Sequence, residues 1–139
     1  MTLASLAYVS SAVRKMNDEE LSELLANARV FNAREGVTGA LLHHDGSFFQ
    51  YIEGPPEGLA RVYGRIRRSS KHKGIIELFQ QDIVSRIFSV WHMGFAQAPG
   101  TLLQELANAQ WLSVVPSLQT SPSKSDGLKL LLGFWSGAK

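Results

Sequence analysis

Tyr8, Asn32 and Gln50 are the side chains whose types and settings invite chemistry. Gln50 is flanked by Phe48, Phe49, Tyr51 and Ile52, a run that predicts burial. A primary amide has a donor end and an acceptor end, and leaving it unpaired away from water costs on the order of 1–3 kcal/mol. Gln50 therefore needs a partner, either inside the protein or in a ligand. Side chains alternate along a strand. Leu6, Tyr8 and Ser10 then share one face of a first strand, and Phe48, Gln50 and Ile52 share one face of a third. If those strands are neighbours, a phenol and an amide can meet. Taken singly, a strand tyrosine is most often an ordinary half-buried residue, and an asparagine near a helix end most often caps it or faces solvent. Arg65, Arg67, Arg68, Lys71 and His72 form a basic cluster around the end of a second helix. Helix C-termini favour cations, so solvent is the expected setting of Arg67 and Arg68. His43, His44 and Asp45 are adjacent, so their side chains diverge. With His72 and His92 distant in sequence, they predict no metal site.

The 139 residues fit one domain, and 45% hydrophobic with 19% charged residues is a globular balance. A net charge of +2 does not by itself point to nucleic acid. The absence of cysteine excludes disulfides, thiolate metal sites and thiol catalysis. The opening residues lack a charged n-region and are broken by serines, so they read as a strand and not as a signal peptide. No apolar run approaches the roughly 20 residues needed to span a bilayer. A soluble cytoplasmic protein without membrane contact is expected.

Leu3 to Ser10 reads as the first strand. Asn17 with Glu20 three residues on is a capping-box pattern, and Leu21, Leu24, Leu25, Ala28 and Phe31 follow at helical spacing up to Gly36. Val37 to His44 and Ser47 to Glu53 are strands joined by Asp45-Gly46, a strong hairpin signal. After Gly54-Pro55-Pro56 comes a second helix with Leu59, Val62, Tyr63 and Ile66 as its apolar stripe. Ile75 to Val84 holds a fourth strand and Trp91 to Ala98 a fifth. This βαββαββ order predicts an α+β, ferredoxin-like fold. Two helices cover one face of a mixed five-stranded sheet. The first and third strands are neighbours in such a sheet, which brings Tyr8 to Gln50 under the helices. Phe49 and Tyr51 on the far face need cover. Leu102 to Trp111 and Leu128 to Trp135 are helical candidates that supply it, with Leu128, Leu131, Leu132 and Trp135 on one helical face. Residues 1–98 are thus expected to form the core, and 99–139 an extension that packs on the sheet or contacts a partner.

Four stretches resemble the BLUF family of flavin-binding blue-light sensors. They are Leu6 to Ser10; Asn32 to Gly39, with its Gly-Val-Thr-Gly strand entry; Asp45 to Gly54, the hairpin that carries Gln50; and Arg86 to Phe95, which carries Trp91 and Met93. They run in unbroken order from about Leu3 to Phe95. The resemblance implies FAD, or FMN, held non-covalently with its ring between the two helices. It also implies that Asn32 bonds the polar edge of the ring and that Gln50 stands between Tyr8 and the flavin. Arg65, Ile66, His72 and Met93 would line the rest of the site. The implied light step is proton-coupled electron transfer from Tyr8 to the excited flavin, followed by rearrangement of the Gln50 amide and a red shift. Output would pass through the fifth strand, where Trp91 and Met93 exchange packing near Gln50. The resemblance implies a sensor and not an enzyme. It would signal in trans to a downstream protein, act as a homo-oligomer, and make no direct nucleic-acid contact. Phe31 departs from the family pattern, in which this position is polar in many members.

Two other readings share the fold. Ferredoxin-like sheets that bind RNA present exposed aromatics in particular strand motifs, and neither that motif nor a broad basic face is evident. A small acyl-phosphate hydrolase would need an Arg and an Asn poised in a loop, for which Arg14 and Asn32 are a poor match. Fold analogy alone does not separate these readings; the Tyr, Asn and Gln set does.

Overall fold

The computed structural model describes residues 2–14, 16–88, 92–109 and 126–137. Its elements are β1 (Leu3–Ala12), α1 (Asp18–Glu35), β2 (Thr38–His44), β3 (Ser47–Gly54), α2 (Pro56–Arg68), β4 (His72–Ile83), β5 (Gly94–Gln97), α3 (Gly100–Asn108) and α4 (Asp126–Gly137). Local chemistry fixes several boundaries. The Asn17 side chain accepts from the Glu20 amide at 2.8 Å, and the Glu20 carboxylate accepts from the Asn17 amide at 3.1 Å. This reciprocal cap satisfies two of the orphan donors at the start of α1. Gly36 ends the helix in the left-handed region, with φ 72°. At the β2–β3 hairpin Asp45 and Gly46 both take positive φ, 45° and 86°, which matches the twist of the flanking strands.

The sheet order is β4-β1-β3-β2-β5. β1 runs antiparallel to β3 and β4; β2 runs antiparallel to β3 and parallel to β5. This is the expected ferredoxin-like arrangement with an added edge strand. α1 and α2 cover one face, burying Leu6, Tyr8, Leu41, Phe48 and Ile52 against Leu21, Leu25, Leu59 and Val62. On the opposite face Leu42, Phe49 and Tyr51 pack with Phe88, Leu103 and Leu106 and with Leu131 of α4. The C-terminal helices thus provide the cover that Phe49 and Tyr51 require.

The two flavoured ends of the helical layer differ. A Cβ on Gly58 would stand 2.3 Å from the Glu35 carbonyl oxygen, so the end of α1 and the start of α2 are in near-backbone contact there. Arg61 and Glu35 pair beside it at 2.7 Å. Towards the other end the helices leave a cleft.

The fifth strand is shorter than its expected span of Trp91 to Ala98. Upstream of it, Glu53 captures the backbone donors of Ile87 and Phe88. The Glu53 carboxylate accepts from the Ile87 amide at 2.9 Å and the Phe88 amide at 2.6 Å. Arg86 meanwhile donates to the Gly36 carbonyl at 2.7 Å and to Thr38 Oγ1 at 2.9 Å. Met93 therefore lies just before β5 and not within it. The fourth strand begins earlier than Ile75, because its pairing with β1 continues to Ala12 opposite His72. The helix expected over Leu102 to Trp111 spans Gly100–Asn108.

Candidate functional site

Tyr8 and Gln50 are direct cross-strand partners in the β1–β3 register. The Tyr8 hydroxyl donates to Gln50 Oε1. Gln50 Nε2 in turn donates to the thioether of Met93 at 3.3 Å. A thioether is a weak acceptor, and a primary amide has a second N–H. Gln50 is therefore buried and incompletely satisfied. Burial, and after it the neighbouring Tyr63, raises the Tyr8 phenol far above its ordinary range. The charged phenolate is what burial disfavours, so Tyr8 enters any reaction as the neutral phenol.

Asn32 is buried near the end of α1 and donates from Nδ2 to the His92 carbonyl at 2.8 Å. Its Oδ1 has no bond among the described residues. Arg29, one turn earlier, donates to the Met93 carbonyl at 3.0 Å. The segment carrying Met93 is thus clasped by α1 through its backbone while its side chain meets Gln50.

Beside these groups lies a cleft of about 470 Å³ between α1 and α2. Leu41 and Gln50 line it from the sheet, Leu24, Ala28 and Asn32 from α1, and Val62, Arg65 and Ile66 from α2. Arg68, Ser69, Ser70 and Lys71 line it where α2 ends. Arg68 is exposed, and it also borders the cleft. The cause is the position of Arg68 in the last turn of α2, beside the open end. Arg67 leaves the cleft and lies over the Tyr63 ring at 5.7 Å. Arg65 lies over the Phe31 ring at 4.8 Å, so Phe31 serves as an apolar platform for a cleft cation.

Trp91 lies outside the described residues, as does the side chain of His72; the His72 backbone opens β4. Among the described residues no His, Cys, Asp and Glu group is arranged to hold a metal, and no helix is long and apolar enough to cross a membrane.

A match to the BLUF family, sensors of blue-light using FAD, spans residues 3–94. The chain belongs to this family. It is 30% identical over 118 residues to the photoactivated adenylate cyclase subunit beta-like protein FB of Euglena gracilis, which covers 85% of this chain and 13% of the relative. The chain therefore spans about an eighth of that relative's length. Among solved structures, BlsA in its ground state superposes with a TM-score of 0.74 at 27% identity, over 99% of this chain and 89% of BlsA. BlrP1 of Klebsiella pneumoniae with FMN and cyclic diGMP superposes with a TM-score of 0.63 at 28% identity, over 68% of this chain and 26% of BlrP1. As a BLUF protein the chain belongs to a family of blue-light sensors that use a flavin.

The site of this BLUF protein suits a flavin. The cleft offers apolar walls for a planar ring. Gln50 brings a spare N–H and Asn32 a spare carbonyl oxygen, which match the mixed polar edge of an isoalloxazine. Arg65, Arg68 and Lys71 bring positive charge that suits phosphate. Sequence reasoning missed Asn27, which also lines the cleft, and it missed the Glu53 clamp. A glutamate inside the apolar run Phe48 to Gly54, on the same strand face as Phe49 and Tyr51, was the available signal for the clamp.

Proposed function

We propose that a flavin, FAD by preference and FMN as the alternative, binds in the cleft between α1 and α2, and that Tyr8, Gln50 and Met93 convert its excitation into a signal. The observation that carries this reading is the buried hydrogen bond from Tyr8 to Gln50, with the amide backed only by a thioether. The bound flavin supplies absorption of blue light and an excited state that accepts an electron. Tyr8 supplies the electron. A phenol that has lost an electron is strongly acidic, and a charged ring is costly in a buried site. Its proton therefore leaves at the same time along the existing bond to Gln50 Oε1. Gln50 is held on one side by Tyr8 and on the other by a weak acceptor, so little opposes its rearrangement. Return of the electron and proton to Tyr8 then leaves the amide with its donor and acceptor ends in a new arrangement.

The rearranged amide changes what Met93 meets. Met93 is joined through its backbone to Arg29 and through its neighbour His92 to Asn32. A change at Gln50 is thus felt at His92 and Met93, just before β5. We place Trp91 in the same output route, towards an effector in another protein. Absorption spectra of the purified protein before and after blue light test the reading. A flavin spectrum that shifts to the red and relaxes in the dark is expected. Tyr8→Phe and Gln50→Leu should bind flavin and lose the shift. A protein that takes up no added FAD or FMN would overturn the proposal, and mass analysis of the released flavin decides between the two.

A further inference from the structure

We propose that Tyr63 is a second redox-active residue, a relay that can refill oxidised Tyr8 and carry the oxidising equivalent to the neighbouring face of α2. The inference rests on the oxidation of Tyr8 proposed above. The Tyr63 ring packs against the Tyr8 ring with centroids 5.8 Å apart and planes at 39°. At such a separation electron exchange needs no bridging group. The two rings sit in different surroundings. Tyr8 is fully buried, and among the described residues its hydroxyl has only the Gln50 amide as acceptor. Tyr63 is partly buried and lines one cleft with Glu77, whose negative charge adds to burial in raising the Tyr63 phenol. Glu77 stands opposite Tyr8 in the β1–β4 register, so the strand pairing itself brings this carboxylate to the pair of rings.

A carboxylate is a stronger base than an amide oxygen, and a phenol is easier to oxidise when its proton has such an acceptor at hand. Arg67 lies over the Tyr63 ring and opposes the accumulation of positive charge there. The proton transfer to Glu77 removes that objection, because it leaves a neutral ring. Tyr63 and Glu77 also share a second cleft, of about 290 Å³, with Leu59, Arg67 and Gln80.

The step balances as follows. One electron passes from Tyr63 to oxidised Tyr8, and the Tyr63 phenol proton passes to the Glu77 carboxylate. Tyr8 regains its own proton from Gln50. Tyr8 is then an intact phenol, Tyr63 a neutral phenoxyl radical and Glu77 a carboxylic acid. The electron that Tyr8 first gave up is still with the flavin, and it returns later to Tyr63 with the proton from Glu77. Where the refill precedes rearrangement of the amide, Tyr8 and Gln50 return to their starting arrangement, and the relay competes with the switch.

The test is electron paramagnetic resonance of the flavin-loaded protein, illuminated and freeze-trapped, beside the yield of the red-shifted state. The wild type should show a long-lived tyrosyl radical. Tyr63→Phe keeps the packing of the ring, and should lose that radical while retaining the red shift at a higher yield per photon. Glu77→Gln should also lose the long-lived radical. In the flavin-free chain Glu77→Gln should lower the titration midpoint of the Tyr63 phenol, which Glu77 raises. A radical lifetime and switching yield unchanged in Tyr63→Phe would overturn the relay, and if Tyr8→Phe abolishes the red shift in the same series, the oxidation of Tyr8 still stands. A red shift that survives in Tyr8→Phe would overturn both.

Discussion

Gln50 and Glu53 lie three residues apart on β3, on opposite faces of the sheet, and both are buried. Their surroundings differ in the degree of satisfaction. The Glu53 carboxylate accepts from two backbone amides, from the Tyr51 hydroxyl at 3.2 Å and from Thr38 at 3.4 Å. Gln50 accepts one bond from Tyr8 and gives one to a sulfur. A saturated polar group in a low-dielectric setting is rigid, because any movement breaks several bonds at once. An unsaturated one can exchange partners at little cost. The face around Glu53 is therefore an anchor, and the face around Gln50 is where a change of state is cheap. The proposed switch and its anchor thus share one strand, within about 10 Å by the rise per residue of a strand.

The largest effect should come from breaking the anchor. Glu53→Ala leaves the amides of Ile87 and Phe88 and the Tyr51 hydroxyl without their acceptor, and should cost about 3–5 kcal/mol in urea unfolding. Gln50→Leu removes one acceptor and one weakly held donor, and should cost no more than about 2 kcal/mol. Equal losses at the two positions would refute the contrast between anchor and switch.

Alkaline pH sharpens the same comparison, since each face buries a tyrosine. Burial raises Tyr8 above the ordinary phenol value of 10.0, helped by Tyr63; burial and then Glu53 raise Tyr51. Below that ordinary value the folded and unfolded states both hold the phenol protons, and stability has no slope from them. Above it the unfolded chain releases protons that the folded chain retains. Stability should fall by about 1.4 kcal/mol per pH unit for each residue. Tyr8→Phe and Tyr51→Phe should each flatten the alkaline slope by one share in denaturant titrations at stepped pH, and a slope indifferent to both would contradict their burial.

The smallest effect on stability is expected at Met93. Met93→Leu nearly conserves volume and should cost less than about 1.5 kcal/mol. It removes the sulfur acceptor behind Gln50, so dark relaxation of the red-shifted state should change in rate. An unchanged rate would mean that the amide does not depend on that contact.

The site was largely legible because its key pair depends on local rules. Tyr8 and Gln50 follow from strand alternation once the order of strands is known, and the BLUF resemblance supplied a partner for the amide. Arg65 and Ile66 line the cleft. Arg68 was read as solvated because a helix end rich in cations usually is, and it is exposed; that it also borders the cleft depends on how α1 and α2 pack, which no local pattern records.

By itself the sequence determined the elements whose causes are local: the Asn17 capping box, the Gly36 stop, the Asp45-Gly46 hairpin and the alternation that aims Tyr8 and Gln50 to one side. These depend on backbone preferences and on partners a few residues away. The length of β5, the place of Met93, the hold of Arg29 and Asn32 on the segment before it, and the ring contact between Tyr8 and Tyr63 were decided by the tertiary structure alone. Each depends on which groups meet across the fold: Ile87 and Phe88 give their amides to Glu53, more than thirty residues back along the chain, and no local pattern records such a pairing.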